Sequence, residues 1–286
     1  MVIGYTTGVF DMFHIGHLNI LRRAKEQCDY LIVGVSTDEL VQKDKNKTPI
    51  IPFENRCAIV EAIRYVDQVV PQEDKNKFGA WEKYHFNKMF VGSDWQGTPQ
   101  WNEFEKQFAP HGVEIVYLSH TDGISSTLLR EMIIPNGGGK FATQTSDTVY
   151  GYTTGVYDMF HIGHLNILRK AKEKCDYLIV GISTDECVEG YKQHLPVVRY
   201  EERAAIVEAI KYVDEVVPQT TMDKMEFLKH RHFDVMFHGD EWKGTELYNK
   251  YEKEFAHYGA RIEYLSHTDG ISSTMLRERI NKKDNG

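Results

Sequence analysis

GYTTGVFDMFHIGHLNILRRAKE, running from Gly4 to Glu26, is the stretch that decides the fold. The apolar and β-branched residues at its start, Val2, Ile3, Tyr5 and Thr6, read as a strand. The period then changes: Leu18, Leu21, Ala24 and Cys28 fall on one face of a helix. His14 and His17 therefore stand where a strand hands over to a helix N-terminus. Gly8 reads as the tight turn, and Gly16 as an opening for a ligand to approach the main chain. A helix N-terminus offers unpaired N–H groups and the positive end of a dipole, which suits a phosphate. Two imidazoles three residues apart can point the same way and add donors to that site. Zinc is the competing use of two histidines, but no cysteine or third histidine follows at ligand spacing.

The stretch occurs twice. GYTTGVYDMFHIGHLNILRKAKE spans Gly151 to Glu173, with His161 and His164 at its centre. Gly4 maps to Gly151, Arg56 to Arg203, Asp67 to Asp214 and Gly123 to Gly270, always 147 residues on. The copies align without a gap from about Gly4 to about Ile133. A period this long means duplicated domains, not a solenoid. The expected organisation is a first domain over 1–133, a flexible linker over 134–147 with three glycines, and a second domain over 148–286.

A hydrophobic fraction of 41% and a charged fraction of 27% suit a soluble globular chain. The net charge of −8 argues against a general nucleic-acid or anionic-membrane binder, because such surfaces carry excess Lys and Arg. The four cysteines, Cys28, Cys57, Cys175 and Cys187, form no C-x-x-C pair and read as reduced thiols. No leader pattern and no membrane-length apolar run are apparent, so the expected location is the cytoplasm.

Within the first copy, Tyr30 to Val35 reads as a buried strand and Asp38 to Pro52 as a loop carrying Lys43, Lys45 and Lys47. Phe53 to Tyr65 reads as a helix, Gln68 to Val70 as a short strand stopped by Pro71, and Lys88 to Val91 as a strand entering Gly92-Ser93-Asp94-Trp95. Pro99 to His111 reads as a helix, Val113 to Leu118 as a strand, and Ser125 to Ile133 as a last helix. Alternating strands and helices with near-continuous apolar strands imply an α/β fold: two tandem Rossmann-like domains, each a parallel β-sheet with helices on both faces. Ligands in such sheets bind beyond the carboxyl ends of the strands. Gly123 followed by Ile124, Ser125, Ser126 and Thr127 is a second anion cradle at a helix start.

Taken together, His-x-Gly-His, Arg64-Tyr-Val-Asp67, Gly92-Ser-Asp-Trp-x-Gly97 and Thr121-Asp-Gly-Ile-Ser-Ser-Thr127 resemble the cytidylyltransferase family of the HIGH-motif nucleotidyltransferases. The resemblance is greatest to glycerol-3-phosphate cytidylyltransferases and covers nearly all of each copy. It implies CTP as donor, a phosphate ester as acceptor and Mg²⁺ held mainly by the CTP phosphates. It also implies roles for residues. His14, His17, Lys47 and Arg64 would be catalytic, as would His161, His164, Lys192 and Lys211 in the second copy. Thr7, Gly8, Phe10, Asp11, Gly16, Lys45, Gly92, Asp94, Trp95, His120, Thr121, Gly123, Ile124, Ser125, Ser126 and Thr127 would bind nucleotide. Their second-copy counterparts are Thr154, Gly155, Tyr157, Asp158, Gly163, Gly239, Glu241, Trp242, His267, Thr268, Gly270, Ile271, Ser272, Ser273 and Thr274. No side-chain metal cage is implied, although Asp11 and Asp158 sit where the family has an aspartate near metal and phosphates; capping the turn is their competing role.

Several positions depart from the family pattern. His120 and His267 stand where the family has arginine, and a neutral imidazole does not replace a bidentate guanidinium. Ser93 replaces a family aspartate, Lys211 stands for Arg64, and His194 for Lys47. These changes point to the first copy as the main catalyst. The resemblance implies transfer of CMP from CTP to a glycerol 3-phosphate-like polyol phosphate, releasing pyrophosphate. An adenylyltransferase using ATP and a non-catalytic nucleotide-binding regulator are the alternatives. The expected partners are these small molecules, with neither nucleic acid nor membrane. The two copies are expected to pair as an intramolecular pseudo-dimer, with room for a higher oligomer.

Overall fold

The computed structural model describes residues 1–119 and 148–284. The chain divides into two compact units, and each holds one five-stranded sheet. In the first unit β1 (Ile3–Gly8), β2 (Tyr30–Ser36), β3 (Gln68–Gln72), β4 (Lys88–Gly92) and β5 (Glu114–Leu118) lie in the order β3-β2-β1-β4-β5, all parallel. In the second, β6 (Tyr150–Gly155), β7 (Tyr177–Ser183), β8 (Glu215–Gln219), β9 (Val235–Gly239) and β10 (Arg261–Leu265) repeat the arrangement as β10-β9-β6-β7-β8. The register repeats too: Thr6 lies beside Phe90, and Thr153 beside Phe237.

β2, with sequence YLIVGVS, is buried along nearly its whole length, as a strand covered on both faces must be. α1 (Ile15–Lys25) packs on β1, β4 and β2 and buries Leu18, Leu21 and Ala24. The order of strands reverses between β1 and β4. A crevice therefore opens at their carboxyl ends, where this class of sheet binds its ligands.

The predicted loop after β2 is half helix. α2 (Asp38–Lys45) starts at Thr37, whose hydroxyl accepts from Leu40 N, with Asp38 and Glu39 in the first turn. These are ordinary N-terminal signals that the lysine run obscures. α3 is shorter than the pattern suggests, Phe53–Glu61. Pro71 does not stop β3, because β3 is an edge strand and the missing N–H costs the ladder nothing there. α4 (Lys77–Tyr84), capped by Asn76, has no counterpart in the sequence reading. α5 (Pro99–Phe108) follows β4.

The second unit carries the matching α6 (Ile162–Lys172), α7 (Asp185–Lys192), α8 (Tyr200–Glu208), α9 (Lys224–His230) and α10 (Glu246–Ala256). α11 (Ser273–Asp284) closes the chain's described part. The expected helix over Ser125 to Ile133 and the linker over 134–147 lie outside the described residues. Among the described residues no helix is long and apolar enough to cross a membrane.

Candidate active site

The histidines sit where the sequence places them. His14 and His161 are the N-caps of α1 and α6. Each turns its ring back so that Nδ1 accepts from the backbone N–H two residues on, Gly16 N and Gly163 N, both at 3.1 Å. The second histidine stacks on the first, with ring centroids 3.8 Å apart in both repeats. His164 Nδ1 also accepts, from His161 N. An Nδ1 that accepts leaves the ring proton on Nε2. The site thus presents Nε2–H donors.

Burial keeps these rings neutral. It pushes His17 down to about 3, with the neighbouring His14 adding to the effect. Burial pushes His161 down to about 4 and His164 well below its ordinary value. A neutral native imidazole whose unfolded counterpart binds a proton near 6.5 gives stability that is present above 6.5 and lost as pH falls toward 4. For His161 alone, the loss between pH 7 and 5 is about 2 kcal/mol. Urea melts of the His161→Ala chain should fall less than wild type by about that amount; an identical pH slope would contradict the assignment.

The glycines make room for side chains. A Cβ on Gly16 would lie 2.9 Å from His14 Cε1, and one on Gly163 3.0 Å from the His161 ring. Glycine is needed here to seat the imidazole. Gly8 does not make the turn: Phe10 and Met12 do, with φ of 54° and 48°, as do Tyr157 and Met159 at 55° and 49°. Left-handed backbone at such bulky residues costs of order 1–3 kcal/mol each. Phe10 spends it on packing against His17, at 5.2 Å between centroids, as Tyr157 does against His164.

Asp11 and Asp158 are structural ties. Asp11 accepts from Ile50 N and Ile51 N, and Asp158 from Val197 N, Val198 N and the Arg277 guanidinium. Both oxygens of each carboxylate accept hydrogen bonds, so each ties its turn to the segment that leads into α3 or α8. Among the described residues no cluster of three His, Cys, Asp or Glu side chains could hold a metal.

Lys192, His194, Ser273, Thr274 and Arg277 line a cavity of about 230 Å³ with His164. Ser273 Oγ donates to Asp158 O at 2.8 Å and lies 3.5 Å from His161 Nε2. Ser272 caps α11 through Met275 N, Gly270 takes the turn at φ 77°, and buried Ile271 covers Gly163. Thr268 accepts from Asn166, and His267 Nδ1 from Thr268 N. The matching His120, Thr121, Gly123, Ile124, Ser125, Ser126 and Thr127 lie outside the described residues. Lys45 and Lys47 are exposed at the end of α2 and just beyond it.

Trp95 and Trp242 follow β4 and β9 and are 47% and 41% exposed at the sheet edge that carries the histidines. The Asp94 and Glu241 carboxylates fold over Gly92 and Gly239, leaving no room for a Cβ.

Arg64 and Lys211 are not brought to the histidines of their own units. They follow α3 and α8 and precede β3 and β8, at the opposite end of the sheet. There Asp67 and Asp214 bind the first residues of β2 and β7 through Leu31 N and Leu178 N.

Two features escaped the sequence reading. Lys77 Nζ donates to Thr7 Oγ1 at 2.9 Å, and Lys224 Nζ to Thr154 Oγ1 at 3.0 Å, at the same edge as the histidines. Burial pushes both amines down to about 8, so they remain mostly charged at pH 7. Arg56 and Arg203 are fully buried. Each binds the carbonyl after β1 or β6 (Val9, Val156), the carbonyl before α3 or α8 (Ile51, Val198), and Asp38 or Asp185. A lone arginine in an apolar helix stripe was the available signal for the second.

A family model described as cytidylyltransferase-like matches residues 5–132 and 152–279. The chain belongs to the cytidylyltransferase-like family. It is 30% identical over 92% of its length to a probable ethanolamine-phosphate cytidylyltransferase of Encephalitozoon cuniculi, of which it covers 89%. It is 28% identical to the ethanolamine-phosphate cytidylyltransferase of Dictyostelium discoideum, over 96% of this chain and 89% of that protein. A Staphylococcus aureus glycerol-3-phosphate cytidylyltransferase is 40% identical over 44% of this chain and 90% of its own length. The single-repeat relative thus matches more strongly over less, and the long relatives match across both repeats. As a cytidylyltransferase, the chain is an enzyme acting on CTP and a phosphate ester.

Proposed function

We propose that each repeat transfers CMP from CTP to a small alcohol phosphate, and that glycerol 3-phosphate or a similar polyol phosphate is an acceptor of the chain. The buried Lys77–Thr7 and Lys224–Thr154 pairs carry this reading. They supply a cation for the acceptor phosphate that is separate from the histidines facing the triphosphate. Ethanolamine phosphate is the second reading, favoured by the relatives that match both repeats.

An acceptor phosphate oxygen attacks the α-phosphorus in line. The bond from that phosphorus to the β-phosphate oxygen breaks, and pyrophosphate leaves with the electron pair. No protein nucleophile or base is needed, because the attacking oxygen is already anionic. The chain's work is to hold two anions together and meet the charge that builds in the transition state. The Nε2–H donors of His14, His17, His161 and His164 do this, assisted by the helix N-termini and the lysines. Magnesium would be held mainly by the CTP phosphates and would offset part of their negative charge.

Pyrophosphate release, with CTP or ATP, from glycerol 3-phosphate, ethanolamine phosphate and choline phosphate tests the reading. Turnover should need CTP. Replacing Lys77 and Lys224 by Ala should raise the acceptor KM at least tenfold and leave the KM for CTP unchanged; the opposite pattern would place the lysines on the nucleotide. In thermal shift, CTP should stabilise more than ATP, by about 2.7 kcal/mol at a hundred times its Kd.

A further inference from the structure

Around the lysine–threonine pair the repeats differ at matched positions. Thr153 is in register with Phe237, so Thr154 lies beside His238 on the same face of the sheet. In the first repeat Thr6 is in register with Phe90, and Thr7 lies beside Val91. Leu40 in the first repeat is matched by Cys187, and Ala80 by Phe227.

His238 is held as a neutral donor. Its Nδ1 accepts from Gly239 N at 3.0 Å, which puts the ring proton on Nε2, and it packs 4.8 Å from Tyr248 and 5.6 Å from Trp242. Burial, with the Lys224 charge nearby, pushes it down to about 4. Val91 and Leu40 offer no donor at all.

The third difference is one of space. Phe227 stacks on Tyr152 at 4.1 Å and nearly parallel. Ala80 leaves the matching region beside Tyr5 open, with Tyr84 at 5.9 Å. A cavity of about 120 Å³ results, lined by Tyr5, Glu73, Asp74, Lys77, Lys83 and Tyr84; the Lys83 ammonium already lies over the Tyr84 ring, 5.2 Å from its centroid, which leaves Tyr5, Glu73 and Asp74 to receive a ligand. Asp74 is close enough to favour the protonated forms of both Tyr5 and Lys77. Aromatic rings and carboxylates in a small cavity attract an ammonium group.

We propose that the two repeats take different acceptors. The second takes a polyol phosphate, whose hydroxyl accepts from His238 Nε2–H. The first takes an amino-alcohol phosphate, whose ammonium group enters the cavity at Tyr5 and Asp74. This rests on the reading that the acceptor phosphate binds Lys77 or Lys224, and the transfer step is the one given above. A hydroxyl set against Val91 would lose its hydrogen bonds to water without replacement, and a site built to bond a hydroxyl discriminates by large factors.

The test silences one repeat at a time in the full chain. With His161→Ala and His164→Ala, kcat/KM for ethanolamine phosphate should exceed that for glycerol 3-phosphate at least tenfold. With His14→Ala and His17→Ala, the ranking should reverse. Adding Val91→His to the first chain should raise its kcat/KM for glycerol 3-phosphate about tenfold, a gain that misfolding does not produce. The same ranking in both silenced chains, with an active wild type, overturns the split of acceptors and leaves the proposed function standing. A wild-type chain that makes no CDP-alcohol from either ester overturns both.

Discussion

Replacing His14, His17, His161 and His164 together by Ala is expected to lower cytidylyl transfer by at least about 10³-fold. Removing one preorganised donor from a developing oxyanion typically costs about 10²–10³ in rate, and donors that act as a unit do not add fully. His14, His161 and His164 each accept a backbone N–H at Nδ1, and His17 is held by stacking on His14, so these rings need little reorganisation when charge develops. The substitution also removes two N-caps, at about 1 kcal/mol each. Steady-state turnover should therefore be read beside a urea melt. A chain that melts slightly early yet turns over at the wild-type rate would reduce the histidines to capping residues. Each pair alone should remove only its own repeat's share. The expectation that the first repeat dominates loses part of its basis. Arg64 and Lys211 lie at the far end of their sheets, and the changes from Lys43 to Gly190 and from Lys47 to His194 are what still distinguish the two cationic loops.

Arg203→Ala is expected to destabilise the second unit by about 3–5 kcal/mol, the usual result of breaking a buried ion pair from one side. The guanidinium is almost wholly buried and donates to Val156 O, Ser183 O, Val198 O and Asp185. Its removal takes a donor from three carbonyls at once and leaves Asp185 with the Tyr200 N–H but without its countercharge. It also unties the loop that carries His161 from the segment leading out of α7, so Lys192 should lose its place beside His164. Arg203→Lys should recover little, since an ammonium cannot reproduce the planar fork. Urea denaturation at pH 7 measures this. A loss below about 1 kcal/mol, or full rescue by lysine, would contradict the role.

The reading of the first stretch succeeded where the signal was local. A change of period from strand to helix, a histidine at the junction and a repeat that differs at only two positions place both histidine pairs at the start of a helix. Signals that depend on distant partners were not legible. Lys77 and Thr7 are 70 residues apart and meet only because β3–α4–β4 returns the chain to the neighbour of β1. Arg64 reads as a site arginine by motif, yet its position between a helix end and a strand start puts it at the wrong edge of its own sheet. Asp11 could be a metal ligand or a turn tie by sequence, and the tie is made by the Ile50 and Ile51 N–H groups, about 40 residues away in the chain. Gly8 does not make the turn that its position suggests. The missing Cβ of Gly16 and of Gly8 makes room for His14 and for Phe10, whose own backbone takes the left-handed turn.

The most direct measurement follows the label from CTP carrying a labelled α-phosphate, incubated with the full chain and either glycerol 3-phosphate or ethanolamine phosphate. The expected result is label in a CDP-alcohol, one unlabelled pyrophosphate released per product, and no product when ATP replaces CTP. Label that stays in CTP or appears in free CMP with both esters, or faster transfer from ATP, would contradict cytidylyl transfer to an alcohol phosphate.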